Sequence, residues 1–150
     1  MKTDKPILSI DYGEKRFGLA ISDSKGIIAS PLEVLKITKR RNQESIIEEI
    51  LIFVEQYKVK SILVGKPQIL KKEHIKSAEK IDNFVKKLSL KTTLPIILQD
   101  ETYSTTQSQN MLISLGQSTK STKGKIDMIS ATVFLQEFLN SENQKNEKHN

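Results

Sequence analysis

Between Pro6 and Ile37 three apolar runs follow one another with only short turns between them. "PILSIDYG" is apolar up to an acid, Asp11, with Pro6 at the start of a strand, where it is tolerated. "RFGLAISD" alternates large and small residues, Phe17, Leu19 and Ile21 against Gly18, Ala20 and Ser22, the period of two that defines a strand. "GIIASPLEVLKI" follows a turn at Ser24–Gly26. Strands joined by short turns pair as antiparallel hairpins, so this part of the chain reads as a three-stranded meander.

Beyond Ile37 the pattern changes. In "NQESIIEEILIFVEQY" Asn42 is a candidate cap, Glu44 sits in the first turn, and Ile46, Ile47, Ile50, Leu51, Val54 and Tyr57 recur at helical spacing. "KSILVGKP" is an apolar strand ended by Gly65 and Pro67, "HIKSAEKIDNFVKKLSL" a second amphipathic helix, and "LPIILQDE" a fifth strand. "STTQSQNMLISLG" reads as a short helix capped by Ser104 or Thr105 and closed by Gly116; "QSTKSTKGK" is a polar loop; "IDMISATVFLQEFL" is the last helix. Apolar strands joined by helices are expected to be parallel. The expectation is an α/β fold: a mixed five-stranded sheet, meander first and parallel strands after, with helices on both faces. A chain of 150 residues without an internal repeat or linker suits one domain, over 1–139, followed by a disordered polar tail at 140–150.

The net charge is +6, and the two Lys and two Glu of the last eleven residues cancel, so the excess lies on the folded body. Such a surface suits an anionic partner, nucleic acid or a membrane surface, although a merely solvated surface carries charge as well. The absence of cysteine excludes disulfides and thiolate metal sites. No apolar run approaches the roughly 20 residues of a membrane span, and "MKTDKPILSI" lacks the apolar core of a signal peptide. A cytoplasmic location without membrane attachment is expected.

Three acids stand out. Asp11 ends the first strand and Glu101 the fifth, and sites in open α/β sheets form beyond such ends. Asp127 is placed by this reading in the first turn of the last helix, with Ala131, Phe134 and Phe138 on its face. Clustered carboxylates repel, and a divalent cation turns that repulsion into binding. Two such ions about 4 Å apart activate a water and stabilise the leaving oxygen in phosphodiester cleavage. Each acid also admits a plain structural use: Asp11 as a turn residue, Glu101 as a loop acid, Asp127 as a partner of the helix dipole. Between Glu101 and Asp127 there is no acid, only Lys120, Lys123 and Lys125 among many hydroxyls, flanks that suit a phosphate backbone as well as a solvated loop. "KITKRR" is a basic patch whose default reading is a solvated loop, and "GQSTKSTKGK" lacks the glycine spacing of a phosphate loop.

These motifs, in this order, resemble the YqgF/RuvX-like family, of ribonuclease H-like fold. The resemblance rests on Asp11-Tyr12-Gly13 with Lys15-Arg16, Gly18, Ala20 and Ser22-Asp23; on "ILVGKP" at 62–67; on "DETYSTTQ" at 100–107 with "LISLG"; and on "KGKIDMISATVFLQEFL" at 123–139. It implies that Asp11, Glu101 and Asp127 are catalytic and bind one or two Mg²⁺ or Mn²⁺. It implies a nuclease that processes the 5′ end of pre-16S rRNA in ribosome biogenesis, the alternatives being a Holliday junction resolvase acting on four-way DNA or a non-catalytic rRNA-binding assembly factor. The family commonly carries Arg where this chain has Thr102, a bidentate phosphate contact. Lys15, Arg16, Lys123 and Lys125 are the cations expected to hold the substrate backbone.

Overall fold

The computed structural model describes residues 3–67, 72–101 and 123–147. The chain runs β1 (Ile7–Asp11), β2 (Arg16–Ser22), β3 (Ala29–Lys36), α1 (Gln43–Gln56), β4 (Ser61–Pro67), α2 (Lys72–Ser89), β5 (Ile96–Glu101) and α3 (Lys123–Glu147). The short helix expected at 104–116 and the loop leading to Lys120 lie outside the described residues.

The five strands form one sheet in the order β3-β2-β1-β4-β5. β1, β2 and β3 pair antiparallel, as their short connections demand, while β1–β4 and β4–β5 are parallel. Between Leu19 and Ala20 the β2–β3 register slips, so that Leu19 meets Glu33 and Ala20 meets Pro31, leaving Leu32 as the extra residue of a bulge. Pro31 is tolerated because β3 is an edge strand.

Alternation along the central strands divides the core. Leu8 and Ile10 of β1, Ile62 and Val64 of β4 and Phe17 and Leu19 of β2 face α1 and α2, where they meet Ile46, Ile47, Ile50, Ile81, Phe84 and Leu88. Ile7, Ala20 and Leu63 face the other way, onto Ala131, Phe134, Leu135, Phe138 and Leu139 of α3. Each fully buried Ile, Leu or Phe contributes about 1.5–3 kcal/mol of gross apolar stabilisation. α1 starts where its cap predicts: Asn42 Oδ1 accepts from the Ser45 N–H at 2.9 Å.

α3 corrects the sequence reading at both ends. It begins at Lys123, so Asp127 lies beyond the first turn, which holds no acid. It also continues past the expected boundary at residue 139 to Glu147, so that 140–147 are helical, while 148–150 lie outside the described residues. The tail's composition is polar throughout, but a few side chains anchor it. Glu142 accepts hydrogen bonds from the Thr3 N–H (3.0 Å), the Thr3 hydroxyl (2.8 Å) and Lys5 Nζ (2.9 Å), and Asn143 Nδ2 donates to the Gly26 carbonyl at 3.2 Å.

Candidate active site

Asp11 is partly exposed at the C-terminal end of β1. Its antiparallel partner on β2 is Gly18. One register step past Ile10↔Val64 brings Gly65 of β4 level with it on the other side, and Gly65 pairs in turn with Gln99. Asp11 therefore stands between two buried residues that lack side chains. In a sheet, neighbours across strands share a face about 4.8 Å apart. Glycine on both sides means that neither neighbouring strand sets a side chain against this carboxylate.

Asp11 shares its alternation with Ile7, whose side of the sheet is covered by α3. Glu101 ends β5 opposite Pro67, at a position of the same parity as Ile97, which packs with the same cluster. Two contacts set the direction of α3 over the sheet. Ser9 Oγ donates to the Ala131 carbonyl at 3.3 Å, while Glu142 reaches Thr3 and Lys5 at the opposite end. The helix therefore runs antiparallel to β1. Asp127, four residues before Ala131, lies about 6 Å further along the helix axis. Asp11, two residues past Ser9, lies about 7 Å further along the strand. Both displacements lead to the same end. The backbone thus brings positions 11, 101 and 127 to one end of one sheet face. The side chains of Glu101 and Asp127, and those of Lys123 and Lys125, lie outside the described parts. Among the described residues no three acids or histidines form a metal-sized group.

Lys15 and Arg16 enter β2 at this same end, Lys15 exposed and Arg16 half-buried. The connecting turn tolerates no side chain at Gly13, where a Cβ would meet the Arg16 carbonyl oxygen at 2.4 Å. Asp23, by contrast, is a turn acid. It closes the β2–β3 connection at the other end by accepting from the Ile27 and Ile28 N–H groups at 2.7 and 3.1 Å. Burial opposes its ionisation, but these and neighbouring backbone N–H groups prevail, and its pKa lies below the usual value.

A cleft of about 270 Å³ opens beside Asp11 toward α2, lined in part by Gly13, Glu14, Gly65, Ser77 and Lys80. Tyr12 forms its inner wall. Its ring meets Phe17 edge-on at 5.1 Å and Phe84 at 5.4 Å, which ties the residue after Asp11 to the core. Burial pushes the Tyr12 phenol up and the Glu14 charge adds to this, against the opposing pull of Lys80 and a hydrogen bond with Gln43. At the rim Lys80 donates to Glu14; this bond lowers the Glu14 pKa and raises that of Lys80. Sequence reading did not single out Lys80. Its one signal was the spacing Ser77–Lys80–Ile81 on one face of an amphipathic helix.

A mixed 3-2-1-4-5 sheet with helices on both faces and acids at the ends of β1 and β5 is a ribonuclease H-like fold. Solved structures share it. RuvC of T. thermophilus, in complex with a Holliday junction substrate, superposes with a TM-score of 0.60 at 13% identity, covering 93% of this chain and 96% of that one. Fowlpox virus resolvase, in complex with substrate Holliday junction DNA, gives 0.55 at 14% identity, covering 91% and 98%. In sequence the similarity is greater. The chain is 35% identical over 138 residues to a Halothermothrix orenii protein named "Putative pre-16S rRNA nuclease", covering 92% of this chain and 96% of that one. It is 30% identical over 135 residues to the Desulforudis audaxviator protein of the same name, covering 90% and 94%. The family described as "RuvX: Holliday junction resolvase" matches residues 5–141, and the chain belongs to that family. Among the described residues no helix is long and apolar enough to cross a membrane.

Proposed function

We propose that this chain is a metal-dependent nuclease that hydrolyses phosphodiester bonds at the 5′ end of pre-16S rRNA, in the cytoplasm. The observation that supports the reading most is the convergence of positions 11, 101 and 127 at one end of the α3-covered sheet face. Asp11, Glu101 and Asp127 offer an all-oxygen donor set, the chemistry that Mg²⁺ and Mn²⁺ prefer, and Gly18 and Gly65 set no side chain against Asp11 from the neighbouring strands. When bound, the ion supplies Lewis acidity and lowers the pKa of water. The protein's own part is to hold the three carboxylates on rigid elements rather than on loops, and to keep the substrate phosphate near them with Lys15, Arg16, Lys123 and Lys125. Tyr12, seated on Phe17 and Phe84, fixes the backbone that carries Asp11.

RNA is preferred as substrate because relatives at 30–35% identity carry the rRNA nuclease name. The family description and the names of the two structural neighbours favour four-way DNA as a second reading. Incubating wild type and Asp11→Asn with Mg²⁺ or Mn²⁺ on a 5′-extended pre-16S fragment and on a four-way junction separates the two. Cleavage of the RNA alone, abolished in Asp11→Asn with the fold intact, supports rRNA processing. Cleavage of the junction alone establishes the resolvase. Salt-dependent RNA binding without cleavage identifies a non-catalytic factor.

A further inference from the structure

The patch "KITKRR" does not stay an anonymous loop once the sheet is assembled. β3 is antiparallel to β2, and Lys36 pairs with Arg16, so β3 ends where β2 begins and where β1 presents Asp11. The Ile37 N–H donates to the Lys15 carbonyl at 2.8 Å, which joins the two segments beyond their last paired residues. A turn closed by reciprocal backbone hydrogen bonds between Thr38 and Arg41, at 3.0 and 3.2 Å, then holds Lys39 and Arg40 outward. Arg41 is set apart by its ion pair with Glu49 at 2.8 Å and serves to fasten the turn to α1. Lys15, Lys36, Lys39 and Arg40 are all exposed, and among the described residues none has a salt-bridge partner at 4.0 Å or less. Several lysines elsewhere face an acid: Lys5 has Glu142, Lys66 has Asp82, Lys80 has Glu14 and Lys91 has Glu48.

We propose that Lys36, Lys39 and Arg40 form a basic ledge that continues from Lys15 and binds the phosphate backbone of the substrate RNA away from the scissile bond. The inference rests on the nuclease reading and extends it to substrate positioning. β3 lies two strands from β1, about 10 Å from Asp11. At that distance the ledge engages phosphates a few nucleotides from the cut rather than the scissile one. The sheet's end thus separates two tasks: acids over β1 and β5 for chemistry, and cations over β2 and β3 for register. Phosphate contacts of this kind position a nucleic acid without reading its sequence.

The test compares wild type, Lys36→Gln/Lys39→Gln/Arg40→Gln, and a control of equal charge loss at the opposite end of the sheet, Lys25→Gln/Lys58→Gln/Lys60→Gln. The control residues are exposed, and Lys60 donates its N–H to the Pro6 carbonyl, just before β1. Binding of a fluorescent 5′-extended pre-16S fragment is followed by anisotropy in EDTA across a salt series. The ledge variant is expected to bind at least tenfold more weakly at low salt. Its log K against log [salt] slope should be shallower by about 2–3, near one for each phosphate left without its cation. The control should stay within about twofold of wild type. Equal losses in both variants, or an unchanged slope in the ledge variant, overturn the ledge while leaving the nuclease reading standing. Wild-type binding that does not respond to salt overturns both.

Discussion

Glu142→Gln tests the anchored end of α3. The Glu142 carboxylate accepts from Lys5 Nζ, the Thr3 N–H and the Thr3 hydroxyl, with side-chain exposures of 9% for Lys5 and 16% for Glu142. A fully exposed ion pair contributes about 0–1 kcal/mol. Breaking a buried one by removing a partner costs about 3–5 kcal/mol. This half-sheltered pair sits between those limits, so a loss of about 2 kcal/mol is expected for Glu142→Gln. At about 2–4 °C per kcal/mol for a chain of this size, the melting temperature should fall by about 4–8 °C at pH 7. The pH dependence follows from the direction of the shift. Burial raises the Glu142 pKa, but the Lys5 and Thr3 hydrogen bonds outweigh it and hold the group below its ordinary 4.5. A depressed carboxylate contributes stability above the unfolded pKa, and loses it as pH falls through the folded one. The gap between wild type and Glu142→Gln should therefore be full at pH 7 and close on acidification below about pH 4.5. Thermal unfolding by circular dichroism at pH 7, 5, 4 and 3 reads both effects. A shift under 1 °C at pH 7, or a gap that persists unchanged at pH 3, would refute the anchoring role.

Phe84→Ala should cost about 3–5 kcal/mol in urea unfolding, since the ring is fully buried and supports both Tyr12 and Phe17; a loss below about 1.5 kcal/mol would deny it that role. Gly13→Ala must move the Arg16 carbonyl away from a 2.4 Å clash, and should weaken RNA binding by displacing Lys15 and Arg16; unchanged affinity and melting temperature would show that the turn yields freely. Asn42→Ala removes the α1 cap and should cost about 1 kcal/mol, measurable as a lower urea midpoint with an unchanged slope.

Much of the fold was legible because its signals are short-ranged. The alternation in "RFGLAISD", the uniform apolarity of "SILVGKP" and the cap at Asn42 each need only a few neighbouring residues, and each element formed where its pattern lay. The tail was misjudged for the same reason. Composition reports how much apolar surface a segment can bury, and "NSENQKN" offers almost none. The contacts that hold Glu142 and Asn143 come from Thr3, Lys5 and Gly26, more than a hundred residues away. Asp127 was placed one turn too early because the apolar periodicity was read from Ile126 and "QSTKSTKGK" was taken whole as a loop, although Ser121 and Thr122, residue types that cap helices, stand directly before Lys123.

By itself the sequence determined which segments are strands and helices, that the first three strands form a meander, and which acids end β1 and β5. Only the tertiary structure decided that α3 runs antiparallel to β1, that Gly18 and Gly65 flank Asp11, and that Lys36, Lys39 and Arg40 share an end of the sheet with the acids. The division has a physical cause. Local conformation depends on periodicity and backbone preference within a few residues. Register and helix direction depend on burying complementary faces contributed by distant parts of the chain, and those faces exist only once the sheet has formed.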